Sequence, residues 1–196
     1  MPLQPQEIIP AVRHAGDFLK AASTEAAYII LSGSSINELL KIRKICRRRP
    51  ELQLLVHLDM IKGLSETEES VSFLTEYVRP SGIISANPRV ISTAKKHELW
   101  TVQCCFIVDE ESLDYSLHLI EKSRPDCVQV KPGLMPDILR LVKEKSRKEM
   151  LAGGLIRTMA EAEAAKKAGA AMVATSSLHL LEEAAACRSA GPPTFL

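Results

Sequence analysis

Leu151-Ala152-Gly153-Gly154-Leu155-Ile156-Arg157-Thr158 is an apolar run that ends in two glycines and gives way to a helical segment at Thr158. Paired glycines at a strand-to-helix turn let backbone N–H groups approach a ligand with no Cβ in the way. Such N–H groups at a helix start carry partial positive charge and suit an anion, most often phosphate. A second apolar run, Ala171-Met172-Val173-Ala174, closes on Thr175-Ser176-Ser177 before another helix. In (β/α) barrels the phosphate site is commonly built from the last two βα loops. Gly153 and Gly154, with Thr175, Ser176 and Ser177 one βα unit later, fit that arrangement. A tight turn would explain the glycines alone; the second polar turn favours a phosphate site.

Upstream of this stretch the same cadence repeats. The continuous apolar run 26–31 reads as a strand buried on both faces, as in a parallel sheet. Ser35 and Glu38 form a capping-box pattern for the helix that follows, which Pro50 ends. Strands are expected at 53–58, 82–85, 99–106, 126–130, 149–152 and 171–174, with helices between them. The helix starts are marked by Ser65-Glu66-Thr67-Glu68, Pro88, Glu110 and Pro136. The segment Gln6 to Ala22 reads as an amphipathic helix, with Ile8, Val12, Ala15 and Leu19 near helical spacing. The pattern is therefore α/β, a TIM-barrel-like parallel (β/α) barrel with seven clear βα units and an N-terminal helix. The eighth strand is either hidden in the N-terminal segment or missing from an irregular barrel, and an open doubly wound sheet is the structural alternative. The tail Gly191-Pro192-Pro193-Thr194 reads as a loose end.

A chain of 196 residues is most simply one domain, 1–196, and is long enough to bury a full core. Hydrophobic residues at 46% and charged residues at 25% describe an ordinary soluble protein. No apolar stretch is long enough to cross a bilayer, and Met1-Pro2-Leu3-Gln4 lacks the basic and apolar regions of a signal peptide. A net charge of +1 gives no global field for nucleic acid, so any such contact must come from a local patch. The five cysteines lack metal-ligand or redox spacing and read as small apolar core residues in a reducing cytoplasm. No metal site is expected.

Residues two apart in a strand share a face. His57 and Asp59 share one, as do Ser85 and Asn87, Thr101 and Gln103, and Gln129 and Lys131, each opposite apolar neighbours. The helix-facing side of a barrel strand must be apolar, so this polar parity is expected to point into the barrel near the strands' C-terminal ends, where active sites of the fold sit. His57 alone reads better as a hydrogen-bonded core residue. Asp59, Gln103 and Lys131 together read as a pocket, and Lys131 needs a carboxylate or an anionic ligand beside it. The loop Asp59-Met60-Ile61-Lys62-Gly63-Leu64 adds Lys62 at the rim or, equally, a solvated lysine. No catalytic residue is assigned.

Two basic clusters stand apart. Lys41, Arg43, Lys44, Arg47, Arg48 and Arg49 precede Pro50, and Arg140, Lys143, Lys145, Arg147 and Lys148 follow Pro136. Charge on an outer helix is usually a solvated face; Arg43, Arg47 and Arg48 are the candidates for contact with an RNA backbone. Aromatic residues make up only 4% of the chain, so RNA contact would lean on shape and phosphates.

His57-Leu58-Asp59-Met60-Ile61-Lys62-Gly63-Leu64, Ser81-Gly82-Ile83-Ile84-Ser85, Lys131-Pro132-Gly133 and Ala152-Gly153-Gly154-Leu155-Ile156 occur in that order. Together they resemble the glycerol-3-phosphate-responsive antiterminators, from about Ile8 to Leu181. The resemblance implies a TIM-barrel-like fold, glycerol 3-phosphate or another small phosphate as effector, no cofactor, and binding to the leader mRNA of glycerol-utilisation genes. It implies a regulator of transcription antitermination rather than an enzyme. It has departures. The family pattern has an arginine after the glutamine where this chain has Cys104, and a Thr-Lys pair at Ala86-Asn87. It has an apolar residue at Lys131, and Ser-Thr-Ser at Ala174-Thr175-Ser176. Two family cations are thus missing from the pocket end, and Lys131 stands in for one of them.

The rival function is an isomerase, epimerase or aldolase acting on a small phosphorylated metabolite, because the same cradle serves such enzymes. Asp59 and Lys131 would then supply acid, base or nucleophile. A third reading is a divergent member that has lost its ligand and binds only partners. The oligomeric state, a homo-oligomer included, is left open by the sequence.

Overall fold

The structure, a computed structural model, describes residues 8–24 and 26–189; the tail from Gly191 lies outside the described residues. Eight parallel strands close into a barrel: β1 (Ile8–Val12), β2 (Tyr28–Leu31), β4 (Gln53–His57), β6 (Gly82–Ser85), β7 (Trp100–Phe106), β8 (Cys127–Lys131), β9 (Glu149–Gly153) and β10 (Met172–Thr175). The short strands β3 (Ser34–Ser35) and β5 (Ile61–Lys62) pair with each other outside it. Helices α1 (Ala15–Ala22), α2 (Ile36–Cys46), α3 (Glu68–Phe73), α4 (Pro88–Lys96), α5 (Glu110–Ser123), α6 (Pro136–Ser146), α7 (Met159–Lys167) and α8 (Leu178–Ser189) alternate with the barrel strands. The closed ring, with β1 between β2 and β10, excludes an open doubly wound sheet.

The eighth strand is β1, so the expected helix from Gln6 to Ala22 is corrected within the described residues. Ile8–Val12 is extended and only Ala15–Ala22 is helical. Ile8, Val12, Ala15 and Leu19 imitate a helical stripe, but Ile8 and Val12 are two turns of a pleat that face the helix layer. Pro10 sits mid-strand, where it gives up one ladder donor and hides the run from a periodicity reading.

The wall has two sides. Ile29, Leu31, Leu54, Val56 and Ile83 pack outward with α1, α2 and α4. Val128, Val130, Met150, Ala152 and Val173 pack outward with α5, α6 and α7. Ile9, Tyr28, Ile30, Leu55, Ile84, Val102, Cys104, Cys127, Leu151, Met172 and Ala174 fill the interior. Each fully buried Leu or Ile contributes about 1.5–3 kcal/mol of transfer free energy, and the two-sided burial is why β2 reads as an unbroken apolar run.

Helix starts follow from local chemistry. Asp109 and Ser112 form a reciprocal capping box for α5, and Thr158 and Glu161 form one for α7. Asn87 caps α4, with Pro88 at its first position. The expected Ser35–Glu38 capping box does not form. Ser35 occupies the cap without a side-chain bond, and Glu38 instead accepts from Ser34 Oγ at 3.0 Å and from the Ala15 N–H at 3.3 Å. The carboxylate thereby ties α2 to the start of α1, and those bonds hold its pKa below the usual range. Cys104, Cys105 and Cys127 are buried as expected, Cys46 is half-buried, and Cys187 is exposed on α8. Among the described residues no helix is long and apolar enough to cross a membrane.

Candidate functional site

At the C-terminal mouth of the barrel lies a cavity of about 570 Å³. Gly154, Thr175, Ser176, Ser177 and Lys131 line it, as the sequence suggests, together with Arg13, Ser32, His57, Gln129 and Arg157. Among the described residues the lining contains three cations and no carboxylate.

The β9–α7 turn is set by two close approaches. Gly154 has φ of +79°, a left-handed conformation that costs a β-branched residue dearly. Gly133, in the loop after β8, donates its N–H to the Gly153 carbonyl at 2.7 Å. A Cβ on Gly133 would stand 2.9 Å from the Gly153 nitrogen and 2.8 Å from Ile156 Cδ1. Backbone cannot yield there, so Gly133→Ala is expected to destabilise by about 1–3 kcal/mol through overpacking. At about 2–4 °C per kcal/mol for a domain of this size, thermal denaturation should fall by several degrees; an unchanged midpoint would show that the two turns do not brace each other. Gly153 faces Gln129 inside the barrel and supports the cavity floor rather than lining it.

The polar turn after β10 divides its work. Thr175 Oγ1 donates to the Ile156 carbonyl at 2.7 Å and accepts from the Ser177 N–H at 3.0 Å. Ser177 Oγ accepts from the Leu180 N–H at 3.3 Å and so caps α8. Those two residues fix the turn, and exposed Ser176 fronts the cavity at the positive end of α8. The start of α7 is not available to an anion in the same way. Glu161 Oε2 accepts from the N–H groups of Arg157 and Thr158 at 2.7 and 3.0 Å, filling that helix end with its own carboxylate. The helix start at Thr158 is as expected, but its cap is closed by Glu161, and among the turn residues it is exposed Ser176, just before α8, that fronts the cavity.

Of the expected inward parity, β4 and β8 obey and β6 and β7 do not. His57 and Leu55 face inward, as do Gln129 and Lys131. On β7 the interior residues are Val102 and Cys104. Gln103 is corrected: it points to the helix layer, where Oε1 accepts from Ser123 Oγ at 2.9 Å and Nε2 donates to the Ala86 carbonyl at 2.8 Å. Thr101 is likewise satisfied outside, its Oγ1 donating to Asp126 Oδ2 at 2.6 Å. Ser85, next to inward-facing Ile84, points outward and donates to Asp59 Oδ1 at 2.5 Å.

Asp59 is corrected as well. It lies past β4 in a 3-10 turn, Leu58–Met60, and its carboxylate is occupied by Ser85 and by the Ala86 N–H at 2.7 Å. Burial raises its pKa above the usual carboxylate range against those two bonds. It braces the β4 and β6 loops and does not line the cavity. Lys62 is corrected to a solvated lysine on β5, outside the cavity lining.

Lys131 has its amine 5.4 Å from the Phe106 ring centroid. Among the described residues no carboxylate forms an ion pair with it, nor with Arg13 or Arg157. The nearby Cys104 thiol is pushed up to about 11 by burial, eased by Lys131, so it stays protonated and supplies no counter-charge. Burial, and next the charge of Lys131, lower the pKa of His57 to about 3, which keeps the ring neutral at physiological pH. Arg13 and Arg157 escaped the sequence reading because each stands past the last strand residue, and their parity across a loop carries no signal.

The candidate RNA residues lie elsewhere. Arg47 and Arg48 are exposed just beyond α2, and Arg43 is half-buried with its Nε unpartnered among the described residues. Since α2 leaves β2 at the mouth, its C-terminal end lies towards the opposite end of the barrel.

A family model for glycerol-3-phosphate responsive antiterminators matches residues 8–181. The chain belongs to that family. Among solved structures it is similar to a glycerol uptake operon antiterminator regulatory protein from Listeria monocytogenes, at 30% identity and a TM-score of 0.87, covering 93% of this chain and 98% of the other. A glycerol uptake operon antiterminator-related protein from Thermotoga maritima is 27% identical with a TM-score of 0.79, covering 91% and 99%. An uncharacterised protein of Escherichia coli K12, YgcP, is 28% identical over 174 residues, 89% of this chain and 91% of its own. In this antiterminator-family chain Lys131 stands at the mouth, beside the Gly-Gly turn.

Proposed function

We propose that the protein is a cytoplasmic, glycerol-3-phosphate-responsive antiterminator that binds the leader mRNA of glycerol-utilisation genes. The observation that carries the effector half is the cavity itself: Arg13, Lys131 and Arg157 line it without a carboxylate partner among the described residues. A cluster of like charges at a partly buried mouth repels itself, and an anion relieves that cost. Ser176 at the α8 end and the Gly154 turn supply neutral donors on the same side. Family membership supports the RNA half, and the effector must favour the RNA-competent state to act as a switch. No cofactor is needed for this work. Leader RNA titrated by gel shift with and without glycerol 3-phosphate tests the reading: affinity should differ several-fold, and identical curves would refute it.

An aldolase-like reading has one feature in its favour, an amine at the end of a barrel strand inside the cavity. Schiff-base chemistry needs a carbonyl substrate and a base placed beside the amine, and Asp59, the base the sequence suggests, is committed to Ser85 and Ala86 and does not line the cavity. Borohydride added with a triose phosphate is therefore expected to leave no secondary-amine adduct on Lys131 by mass spectrometry. A trapped adduct there would replace the regulator with an enzyme.

A further inference from the structure

The deep end of the cavity differs in kind from its mouth. Among the described residues His57 Nδ1 and Gln129 Oε1 are buried side-chain atoms with no hydrogen-bond partner. Both residues line the cavity, His57 from β4 and Gln129 from β8, so they approach from two sides of the barrel. Both residues are almost wholly buried, at 1% and 2% exposure. Folded interiors pair nearly all such groups, and an orphan of this kind points to a partner that arrives with a ligand.

The chemistry of the two atoms is the same. His57 turns Nε2 towards Asp59 Oδ2, 3.8 Å away and beyond direct hydrogen-bond reach, and the negative carboxylate favours the tautomer of the neutral ring with its proton on that side. That leaves Nδ1 as a bare lone pair. Gln129 turns its Nε2 to Gly153, which leaves its carbonyl oxygen as the second unmet acceptor. The mouth thus carries cations and the floor carries neutral acceptors.

We propose that this floor reads free hydroxyl groups, so that the site takes a phosphorylated polyol and rejects a phosphorylated carboxylate of the same size. A hydroxyl donates its proton to Nδ1 or Oε1, directly or through one bridging water. A carboxylate brings only lone pairs to that place and leaves the floor unsatisfied. An alkyl phosphate brings nothing and leaves both acceptors orphaned. The inference rests on the phosphate reading of the mouth and adds the residues that choose among phosphates.

Isothermal titration of the wild-type protein with inorganic phosphate, glycerol 3-phosphate, propyl phosphate and 3-phosphoglycerate separates the two readings. Glycerol 3-phosphate should bind about tenfold or more tightly than either propyl phosphate or 3-phosphoglycerate, as sites built around a ligand hydroxyl do. Gln129→Met should narrow the preference over propyl phosphate to about threefold or less, and His57→Leu should do the same independently. Equal binding of all three organic phosphates by the wild type overturns the hydroxyl-reading floor while leaving the phosphate mouth intact. Absence of binding by every phosphate, inorganic phosphate included, sinks the mouth and the floor together. The wild-type series decides the matter even if a floor variant fails to fold.

Discussion

Lys131→Met is expected to abolish most of the thermal stabilisation that glycerol 3-phosphate confers on the wild type. A ligand present at about 100 times its dissociation constant stabilises a protein by about 2.7 kcal/mol. For a chain of this size that corresponds to about 5–10 °C in the melting midpoint. A charge-assisted hydrogen bond to phosphate is worth about 1.5–3 kcal/mol, so its loss at the same ligand concentration leaves a shift of only about 1–4 °C. Without ligand the variant should melt no lower than the wild type, because the amine has no carboxylate partner to lose among the described residues. An undiminished ligand shift in Lys131→Met would show that the anion does not sit beside this amine.

Lys131 is also where the sequence was most informative and most nearly misleading. It departs from the family pattern, yet its parity with Gln129 on β8 placed it in the cavity correctly. The parity argument works where the outer face is purely apolar, as for Val128 and Val130 on β8. It failed on β7 because the helix layer there carries its own polar partners. Ser123 on α5 and the Ala86 carbonyl satisfy Gln103, and Asp126 satisfies Thr101. A polar residue in a strand marks the lumen only if nothing outside can bond it. The cadence of βα units was legible because β2 and its counterparts are buried on both faces and caps such as Thr67, Asn87 and Thr158 stand at the helix starts. β1 was not, because Pro10 interrupts it and its flanking apolar residues fit a helical stripe equally well. Arg13 and Arg157 were invisible for a different reason: which loop residues turn into a mouth is decided by tertiary closure of the barrel.

Charge reversal at Arg43, Arg47 and Arg48 together is expected to weaken leader-RNA binding without altering affinity for glycerol 3-phosphate. Arg47 and Arg48 are exposed and Arg43 is half-buried, towards the end of the barrel away from the cavity. Each single-strand phosphate contact contributes about 0.7 to the slope of log affinity against log salt, so losing three should reduce that slope by about 2. Fluorescence titrations at several salt concentrations read both the affinity and the slope. An unchanged slope would move the RNA-binding surface off α2 and the turn that follows it. A parallel loss of effector affinity would mean that the two sites share residues.

Effector binding depends on the cationic mouth, and direct calorimetry tests that dependence most plainly. Glycerol 3-phosphate titrated into the wild-type protein should bind at one site per chain, while unphosphorylated glycerol at the same concentration gives no measurable binding. Binding of glycerol as tight as that of its phosphate, or no binding of glycerol 3-phosphate at all, would contradict the assignment of Arg13, Lys131, Arg157 and Ser176 to an anionic effector.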